Sequence, residues 1–374
     1  MRRFACVVLA GMLISLLMVS LVSAEMAEIK VGKGTLKMGG ILQAGYTYNL
    51  EDAAGIDQFT LNRARFLLWG DIVPDKVKYF VQTETNGSPA ILDYKARFFY
   101  IPKTEITVGR FLPNFTLYMP YSTAKLEMIN YPLTTAAKVG GVWYFAPWRQ
   151  VGIQTTTKTE YVDFNVGIFN GGDQPNNKAD NNDAKDFLLR AEVKPPVEGA
   201  KIRVGGYAWL GKANPNIGTT EETIDRNRFG GFAKADYKAT EKLTLKFRGE
   251  FLMASTDEVL GFTVDTNGVF TIDSTATTDG QAFFVHLGIQ PDPRFEFLVR
   301  YDCFDPNTDQ EYEADVTADD KISWLTIGAN YYLEGLNSMF YLNYISKKED
   351  GKNADGTDRE IDNDLVVAQV QILF

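Results

Sequence analysis

Basic side chains recur two residues apart along this sequence, with apolar side chains at the positions between them. In the stretch FTLNRARFLLWGD, Arg63 and Arg65 alternate with Ala64, Phe66 and Leu68. Residues two apart in a β-strand lie on one face, so the stretch predicts a strand with one basic and one apolar face. Several guanidinium groups on one surface attract anions, and this electrostatic attraction is the chemistry that the pattern offers.

Acid–base or metal chemistry has little support in this sequence. The chain contains one histidine, His286, and the alternation around it predicts that its side chain faces inward, with no nucleophile or base nearby. The sequence contains no cluster of histidine and cysteine residues of the kind that binds zinc, haem or an iron–sulfur centre. The stretch NADGTDREID at 353–362 resembles a calcium loop in composition but lacks its full spacing, so a solvated acidic loop is favoured. We therefore expect no catalysis and no cofactor.

The first 24 residues have the layout of a secretory signal peptide. A basic start, MRR, precedes an apolar run over 4–22 and a small-residue cleavage site, VSA, before Glu25. A transmembrane anchor is the alternative, but the run is barely long enough and no stop-transfer charges follow it. We expect residues 1–24 to be a removed signal peptide and residues 25–374 to form an exported barrel in which Cys303 is the only cysteine.

About sixteen segments of the mature chain show the alternation of an amphipathic strand, and most have the roughly 9–11 residues that a tilted membrane strand needs. Seven short turns, such as 73–76 and 102–104, interleave with eight connections that are mostly longer. The connections lie at 51–56, 86–90, 113–148, 171–184, 212–225, 254–280, 305–319 and 349–360. This layout predicts an all-β transmembrane antiparallel β-barrel of about 16 strands in the bacterial outer membrane. A soluble sandwich or propeller is the alternative.

The connection at 113–148 is too long and too apolar for an ordinary surface loop. Its many aromatic and aliphatic residues would form an exposed patch in water. The lumen of a large barrel is the interior available to it, so we expect this third long loop to fold into the lumen and constrict it.

Strand alternation also assigns the charged side chains to faces, because arginine or lysine on the lipid face near the midplane costs about 2–4 kcal/mol. Inward acids also occur, among them Glu84, Glu192, Glu250 and Asp302, but inward basic residues are commoner. The inward basic residues predicted in this way are Arg63, Arg65, Lys95, Arg97, Arg190, Arg203, Arg226, Arg228, Lys246, Arg248 and Arg300.

A basic constriction in a low-dielectric channel raises the local anion concentration, so anion preference is expected. The alternative is that the inward basic residues only pair with the inward acids. The mature chain has a net charge of −12, because only two of its 38 basic residues and none of its 48 acidic residues lie in 1–24. This acidic balance argues against a nucleic-acid partner. Acidic outer loops could share divalent ions with lipopolysaccharide.

Three segments resemble the phosphate-selective porin family, porins O and P: FTLNRARFLLWGDI at 59–72, VGRFLPNF at 108–115 and PWRQVGIQ at 147–154. The resemblance implies a homotrimer of sixteen-stranded barrels that passes small anions. Carried over by position, Arg63 and Arg65 would line the wall, and Lys125 and Lys138 on the inserted loop would reach the constriction. The resemblance places Arg110 and Arg149 at the two ends of that loop, where they either shape the field or clamp the loop to the wall. The outer loops here are acidic, whereas the family's phosphate channels have lysine-rich funnels.

The sequence thus predicts a passive outer-membrane porin for small hydrophilic solutes, with a preference for anions such as phosphate. Outer-membrane lipid, lipopolysaccharide and small anions are its expected partners. Two other roles stay open: a barrel that forms a sleeve around a partner such as an electron-carrying cytochrome, and a surface adhesin that binds through its acidic loops.

Overall fold

The computed structural model describes residues 28–50, 56–139, 142–171, 180, 182–215, 222–266, 270–309, 321–350 and 363–374. The predicted signal peptide at 1–24 and the acidic loop at 353–362 lie outside these residues. Most of the predicted acidic stretch at 305–320 does so as well.

Sixteen antiparallel strands form the barrel. The first eight are β1 (Gly34–Asn49), β2 (Gln58–Val73), β3 (Val77–Glu84), β4 (Ala90–Phe98), β5 (Thr104–Phe111), β6 (Gln150–Lys158), β7 (Val162–Phe169) and β8 (Asp186–Val193). The last eight are β9 (Ala200–Ala213), β10 (Ile224–Lys238), β11 (Thr244–Val264), β12 (Phe270–Asp292), β13 (Phe295–Asp305), β14 (Lys321–Tyr332), β15 (Ser338–Asp350) and β16 (Leu365–Leu373).

The sheet closes on itself because β16 pairs with β1. Their register runs from Ile41 opposite Leu373 to Asn49 opposite Leu365. Each barrel strand is thus paired on both sides, which satisfies the backbone polar groups inside a bilayer. Two short strands, Glu28–Val31 and Pro196–Val197, extend the hairpins at the starts of β1 and β9. The predicted closed antiparallel barrel is confirmed.

One end of the barrel carries the short turns. Two of them place Asp75 and Lys103 in the left-handed region, at φ 59° and 60°, a conformation that asparagine, aspartate and glycine adopt most readily. Gly199 and Gly335 take the same region in two further turns, at φ 71° and 57°. Asp75, Gly199 and Gly335 therefore suit the turns that they occupy, whereas Lys103 adopts a conformation that is uncommon for lysine.

The two faces of the strands follow the predicted alternation. In β8, Phe187 and Leu189 are 48% and 49% exposed, whereas Leu188 and Arg190 are buried. Similar exposed apolar side chains occur on most strands, and they form the outward face that a lipid bilayer covers. The inward face carries polar and charged side chains, and the buried Gln371 of β16 belongs to it.

The hairpin of β11 and β12 differs from the prediction. The sequence predicts a connection over 254–280, but β11 continues to Val264 and β12 begins at Phe270. Threonine, valine, isoleucine and phenylalanine in these extensions favour strand structure, and a register shift near Gly261 accommodates the ladder.

The long loop between β5 and β6, residues 112–149, has little regular structure. It contains a 3₁₀ turn at Thr123–Lys125, a one-turn helix at Leu133–Ala136, and a small hairpin of Lys138–Val139 with Val142–Trp143. Within the described part of the chain, no helix has both the length and the apolar character needed to cross a membrane.

Candidate functional site

The long loop packs its apolar side chains against inward-facing residues of the barrel. Phe115 is fully buried, and its ring lies 4.8 Å from that of Tyr207 and 5.7 Å from that of Trp209, both on β9. Farther along the loop, the ring of Phe145 lies 5.5 Å from that of Phe304 on β13. These contacts form one apolar cluster between the loop and strands β7 to β13. Removal of this area from water holds the loop in place.

Two inward carboxylates bind the loop backbone. Glu250 on β11 accepts hydrogen bonds from the Leu117 amide at 2.5 Å, the Thr134 hydroxyl at 2.6 Å and the Tyr207 hydroxyl at 2.8 Å. Asp302 on β13 accepts from the amide of Leu133, the first residue of the short helix, at 3.0 Å. A negative charge at that position also satisfies a helix N-terminus.

Several inward arginines donate to carbonyl oxygens of the long loop. Arg190 reaches the carbonyls of Phe115 and Thr116 at 3.2 and 2.7 Å, and Arg300 reaches those of Asn130 and Tyr131 at 3.0 and 3.4 Å. Arg226 and Arg228 donate in the same way to Trp143 and Tyr144, at 3.4 and 3.3 Å. Four of the predicted channel residues therefore bind carbonyl oxygens of the loop.

Glu127 connects the loop to the wall through charge. Its carboxylate accepts from Arg248 at 2.6 Å and from the Tyr118 hydroxyl at 2.8 Å, and Lys246 lies 3.9 Å away. Burial alone would raise the pKa of Glu127, but the positive charges, Arg248 first, lower it to about 2. The buried side chain of His286 lies 3.9 Å from the same carboxylate.

The other side of the loop contacts strands near the barrel closure. Gln371 on β16 donates to the Ala124 carbonyl at 3.1 Å, and Asn343 on β15 accepts from the Ile129 amide at 3.0 Å. Arg65 on β2 donates to the Thr123 hydroxyl at 3.0 Å. The loop is thus bonded to strands on widely separated parts of the barrel.

Arg110 and Arg149 hold the two ends of the long loop to β4. Arg110 donates to the carbonyl of Ile91, and Arg149 forms a buried ion pair with Asp93 at 3.1 Å. Next to Arg149, Trp148 adopts φ 50°, a conformation that is uncommon for a residue with a side chain.

The wall formed by β2 to β5 carries an excess of basic side chains. Arg65 pairs with Glu84 at 2.8 Å, and Arg97 lies 3.8 Å from Glu105. Arg63 donates to the amide oxygen of Gln43, and Lys95 lies over the rings of Phe80 and Phe111. Neither Arg63 nor Lys95 forms an ion pair with an acidic residue among those that the structure describes. We call this group the basic wall: seven basic residues, Arg63, Arg65, Lys78, Lys95, Arg97, Arg110 and, at the end of the long loop, Arg149, and four acidic ones, Asp71, Glu84, Asp93 and Glu105.

The wall formed by β7 to β13 is neutralised by its own acids. Arg203 pairs with Glu192, and Lys246 pairs with Glu296. Arg248 binds Asp236 at 2.5 Å in addition to Glu127, and Arg300 binds Asp302 at 2.6 Å. We call this group the balanced wall: nine basic residues, Arg190, Lys194, Arg203, Arg226, Arg228, Lys234, Lys246, Arg248 and Arg300, face eight acids, Asp163, Asp186, Glu192, Asp236, Glu250, Glu296, Asp302 and the loop's Glu127.

The two loop lysines lie apart from this ion-pair system. Lys125, at the end of the 3₁₀ turn, is exposed, and its side chain has no hydrogen bond or ion pair within the described ranges. Lys138 is also exposed and lies over the ring of Trp143, with its amino group 4.1 Å from the ring centroid.

Strand alternation in the sequence predicts an inward face for many of the arginines but does not predict the polar groups that hold the loop. Glu250 and Asp302 were assigned to the inside without a role, and Gln371 and Asn343 were not singled out for contact with the loop. The sequence pattern that bears on these contacts is the position of Glu250 and Asp302 on the inward face of their strands. A carboxylate inside a barrel needs hydrogen-bond donors. Which donors it would meet depended on the path of the loop.

The architecture has close counterparts among solved barrels. The outer membrane channel DcaP of Acinetobacter baumannii superimposes with a TM-score of 0.63 at 13% identity, covering 93% of this chain and 100% of that one. An anion-selective porin from Comamonas acidovorans gives 0.58 at 14% identity, over 91% and 100% of the two chains. OmpT of Vibrio cholerae, in its trimer form, gives 0.56 at 11% identity, over 91% and 99%. At such identities the likeness is one of fold: the chain forms a closed sixteen-stranded antiparallel β-barrel like those of these outer-membrane channels.

The family comparison adds a sequence match. The family model for phosphate-selective porin O and P matches residues 276–374, which comprise most of β12 and all of β13 to β16. The predicted resemblance is confirmed over that region, which lies outside the three segments from which it was first inferred. No curated protein matches the sequence.

Proposed function

We propose that this protein is a porin through which small hydrophilic solutes diffuse passively, with a preference for anions such as phosphate. The long loop narrows the barrel lumen, and the basic wall sets the field in the remaining passage. The other inward arginines hold the loop and the barrel together. No step of this function requires an enzyme active site.

One observation carries the anion preference: the basic wall has three more positive than negative side chains, whereas the balanced wall, which has more charged residues, has an excess of only one. Opposite charges at 2.5 to 3 Å cancel at a distance, so the balanced wall adds little to the field of the passage. The unbalanced charges of Arg63 and Lys95 lie between low-dielectric barrel walls, which focus their field. An anion in that passage is therefore favoured over a cation.

The anchors of the long loop support its place as the constriction. Thr123 is bonded to Arg65 on β2, and Leu133 is bonded to Asp302 on β13. We therefore expect a segment held to both of these strands to lie between the walls rather than above them. The same packing speaks against a sleeve, because a partner inside the barrel would have to displace the buried loop.

The expected assembly is a homotrimer, by likeness to the trimer form of OmpT. The exposed apolar side chains of the strands would contact outer-membrane lipid, and acidic outer loops would share divalent ions with lipopolysaccharide. The roles of the fourteen predicted channel residues follow from their places. Arg63, Lys95, Lys125 and Lys138 act on the passing anion, Arg65, Arg97, Arg110 and Arg149 shape the basic wall, and Arg190, Arg203, Arg226, Arg228, Arg248 and Arg300 serve mainly in ion pairs and loop contacts.

Ion preference can be measured on the folded protein in a planar lipid bilayer. With KCl at different concentrations on the two sides, the reversal potential is expected to have the sign of anion preference. Addition of phosphate is expected to reduce the chloride current by competition for the basic wall. A reversal potential of the opposite sign would refute the anion preference, and absence of any conductance would refute the porin assignment and favour the sleeve or the adhesin.

A further inference from the structure

We propose that the passage contains an aromatic track, formed by Tyr131, Trp148 and Trp143 of the long loop, that selects organic anions bearing a planar apolar ring, such as aromatic carboxylates. This inference rests on the proposed anion channel and names the solute class that the channel prefers. Small inorganic anions would still pass, but without the additional contact that a ring makes.

The three rings follow one another within the loop. The ring centroids of Tyr131 and Trp148 lie 5.5 Å apart with their planes at 85°, and those of Trp148 and Trp143 lie 4.6 Å apart at 53°. Both distances are in the range of favourable aromatic contacts. Trp143 and Trp148 are only partly buried, so portions of their ring surfaces remain accessible.

Each end of the track carries positive charge. At one end, the amino group of Lys138 lies 4.1 Å from the ring centroid of Trp143. At the other end, Tyr131 lies close to the basic wall: burial raises the pKa of its hydroxyl, while the charges of Arg63, Arg65 and Arg149 oppose that shift. A carboxylate can therefore meet a cation at either end while its ring lies along the tryptophans.

Two hydrogen-bond donors on the track are not used by the protein. The hydroxyl of Tyr131 and the indole N–H of Trp148 are buried, and neither has a hydrogen-bond partner among the described residues. Buried donors are usually paired, so each unpaired donor requires a specific explanation. Trp148 also holds its left-handed backbone conformation, at φ 50°, between Arg149 and the ring contacts.

The chemistry of the track distinguishes two kinds of anion. An indole face packs well against another planar ring and against cations, but it offers nothing to a compact hydrated anion. A solute that has both a carboxylate and a ring gains from the basic wall and from the tryptophans together. Benzoate and acetate carry the same charge and differ in the ring, so they form a matched pair of probes.

The test is block of the chloride current by benzoate and by acetate in the planar bilayer, with the full-length folded protein. We expect benzoate to half-block the current at about tenfold lower concentration than acetate, the scale of one good aromatic contact. Trp148→Leu is expected to remove most of this difference while the sign of the reversal potential in KCl is retained. The matched control is Trp324→Leu. Trp324 lies on β14, outside the track, and also has a lysine over its ring, with the amino group of Lys347 5.4 Å from the ring centroid. This variant should keep the difference in block between benzoate and acetate.

Equal block by benzoate and acetate in the unmodified protein would overturn the aromatic track while leaving the anion channel intact. Loss of the benzoate preference in Trp324→Leu as well as in Trp148→Leu would also overturn it. If Trp148→Leu does not fold, Trp143→Leu serves in its place. A cation-selective reversal potential in the unmodified protein would instead refute the proposed function on which the inference rests.

Discussion

The basic wall and the balanced wall contain the same kinds of residue and differ in what surrounds each arginine. On the balanced wall, Arg300 and Arg248 have carboxylates within 2.6 Å and also contact the long loop. On the basic wall, Arg63 binds a neutral glutamine and Lys95 lies over aromatic rings. The net charge of each wall therefore depends on how many of its basic side chains lack a carboxylate partner, and Arg63 and Lys95 supply this difference on the basic wall.

Stability should separate the two walls most strongly. Arg300→Ala leaves the carboxylate of Asp302 buried without its partner, a change that typically costs about 3–5 kcal/mol. Arg63→Ala removes one hydrogen bond to Gln43 and should cost only about 0.5–1.5 kcal/mol. Unfolding by guanidinium in detergent measures both free energies. Equal losses for the two variants would break the distinction between the walls.

The next effect concerns the anchoring of the loop by Glu250. Glu250→Ala leaves the Leu117 amide, the Thr134 hydroxyl and the Tyr207 hydroxyl without their acceptor, at about 1–3 kcal/mol for each unsatisfied donor. We expect the loop to loosen, and the single-channel conductance to rise and fluctuate. Glu250→Gln keeps an acceptor oxygen and is the conservative control, with a smaller change. An unchanged conductance in Glu250→Ala would show that the loop does not set the bore.

Acid should act on the balanced wall through Glu127. Because its pKa is lowered in the folded protein to about 2, its contribution to stability is present above the ordinary carboxyl pKa of about 4 and is lost as the pH falls toward 2. We therefore expect steady conductance from neutral pH down to about 5 and loosening of the loop below about 4. Glu127→Gln should weaken this acid response. An equal response in both proteins would assign the effect to other carboxylates.

The smallest effect is expected at Arg203. Its side chain is 46% exposed and bridges Glu192 and Asp163 at the edge of the balanced wall, where solvent screens the charges. Arg203→Gln should therefore shift the reversal potential less than Arg63→Gln and change stability by less than about 1 kcal/mol. A larger shift in Arg203→Gln than in Arg63→Gln would reverse the assignment of the walls.

The barrel could be predicted from the sequence because alternation records which side of each strand meets lipid. The strand containing Arg63 and Phe66 shows this directly, since each side chain lies on the predicted face. The extent of β11 and β12 was less predictable, because threonine-rich segments such as 271–278 fit both a polar loop and a strand.

Local alternation could not assign the ion pairs. Arg300 finds its acid two residues away on β13, whereas Arg248 finds Glu127 on a loop more than a hundred residues earlier in the chain. Such a pairing depends on the path of the loop across the barrel, which no strand pattern contains. The balance of charge on each wall therefore became visible only with the fold.

The claim that the basic wall selects the ion is tested most directly by the reversal potential, in a KCl gradient, of the double variant Arg63→Gln/Lys95→Gln. Its control, Lys242→Gln/Arg294→Gln, removes the same charge from exposed positions in the short turns, beyond the reach of the passage in salt. We predict that the Arg63→Gln/Lys95→Gln variant loses the anion preference and that the control variant retains it. Retention of the same preference by both variants would contradict the claim that the basic wall selects the ion.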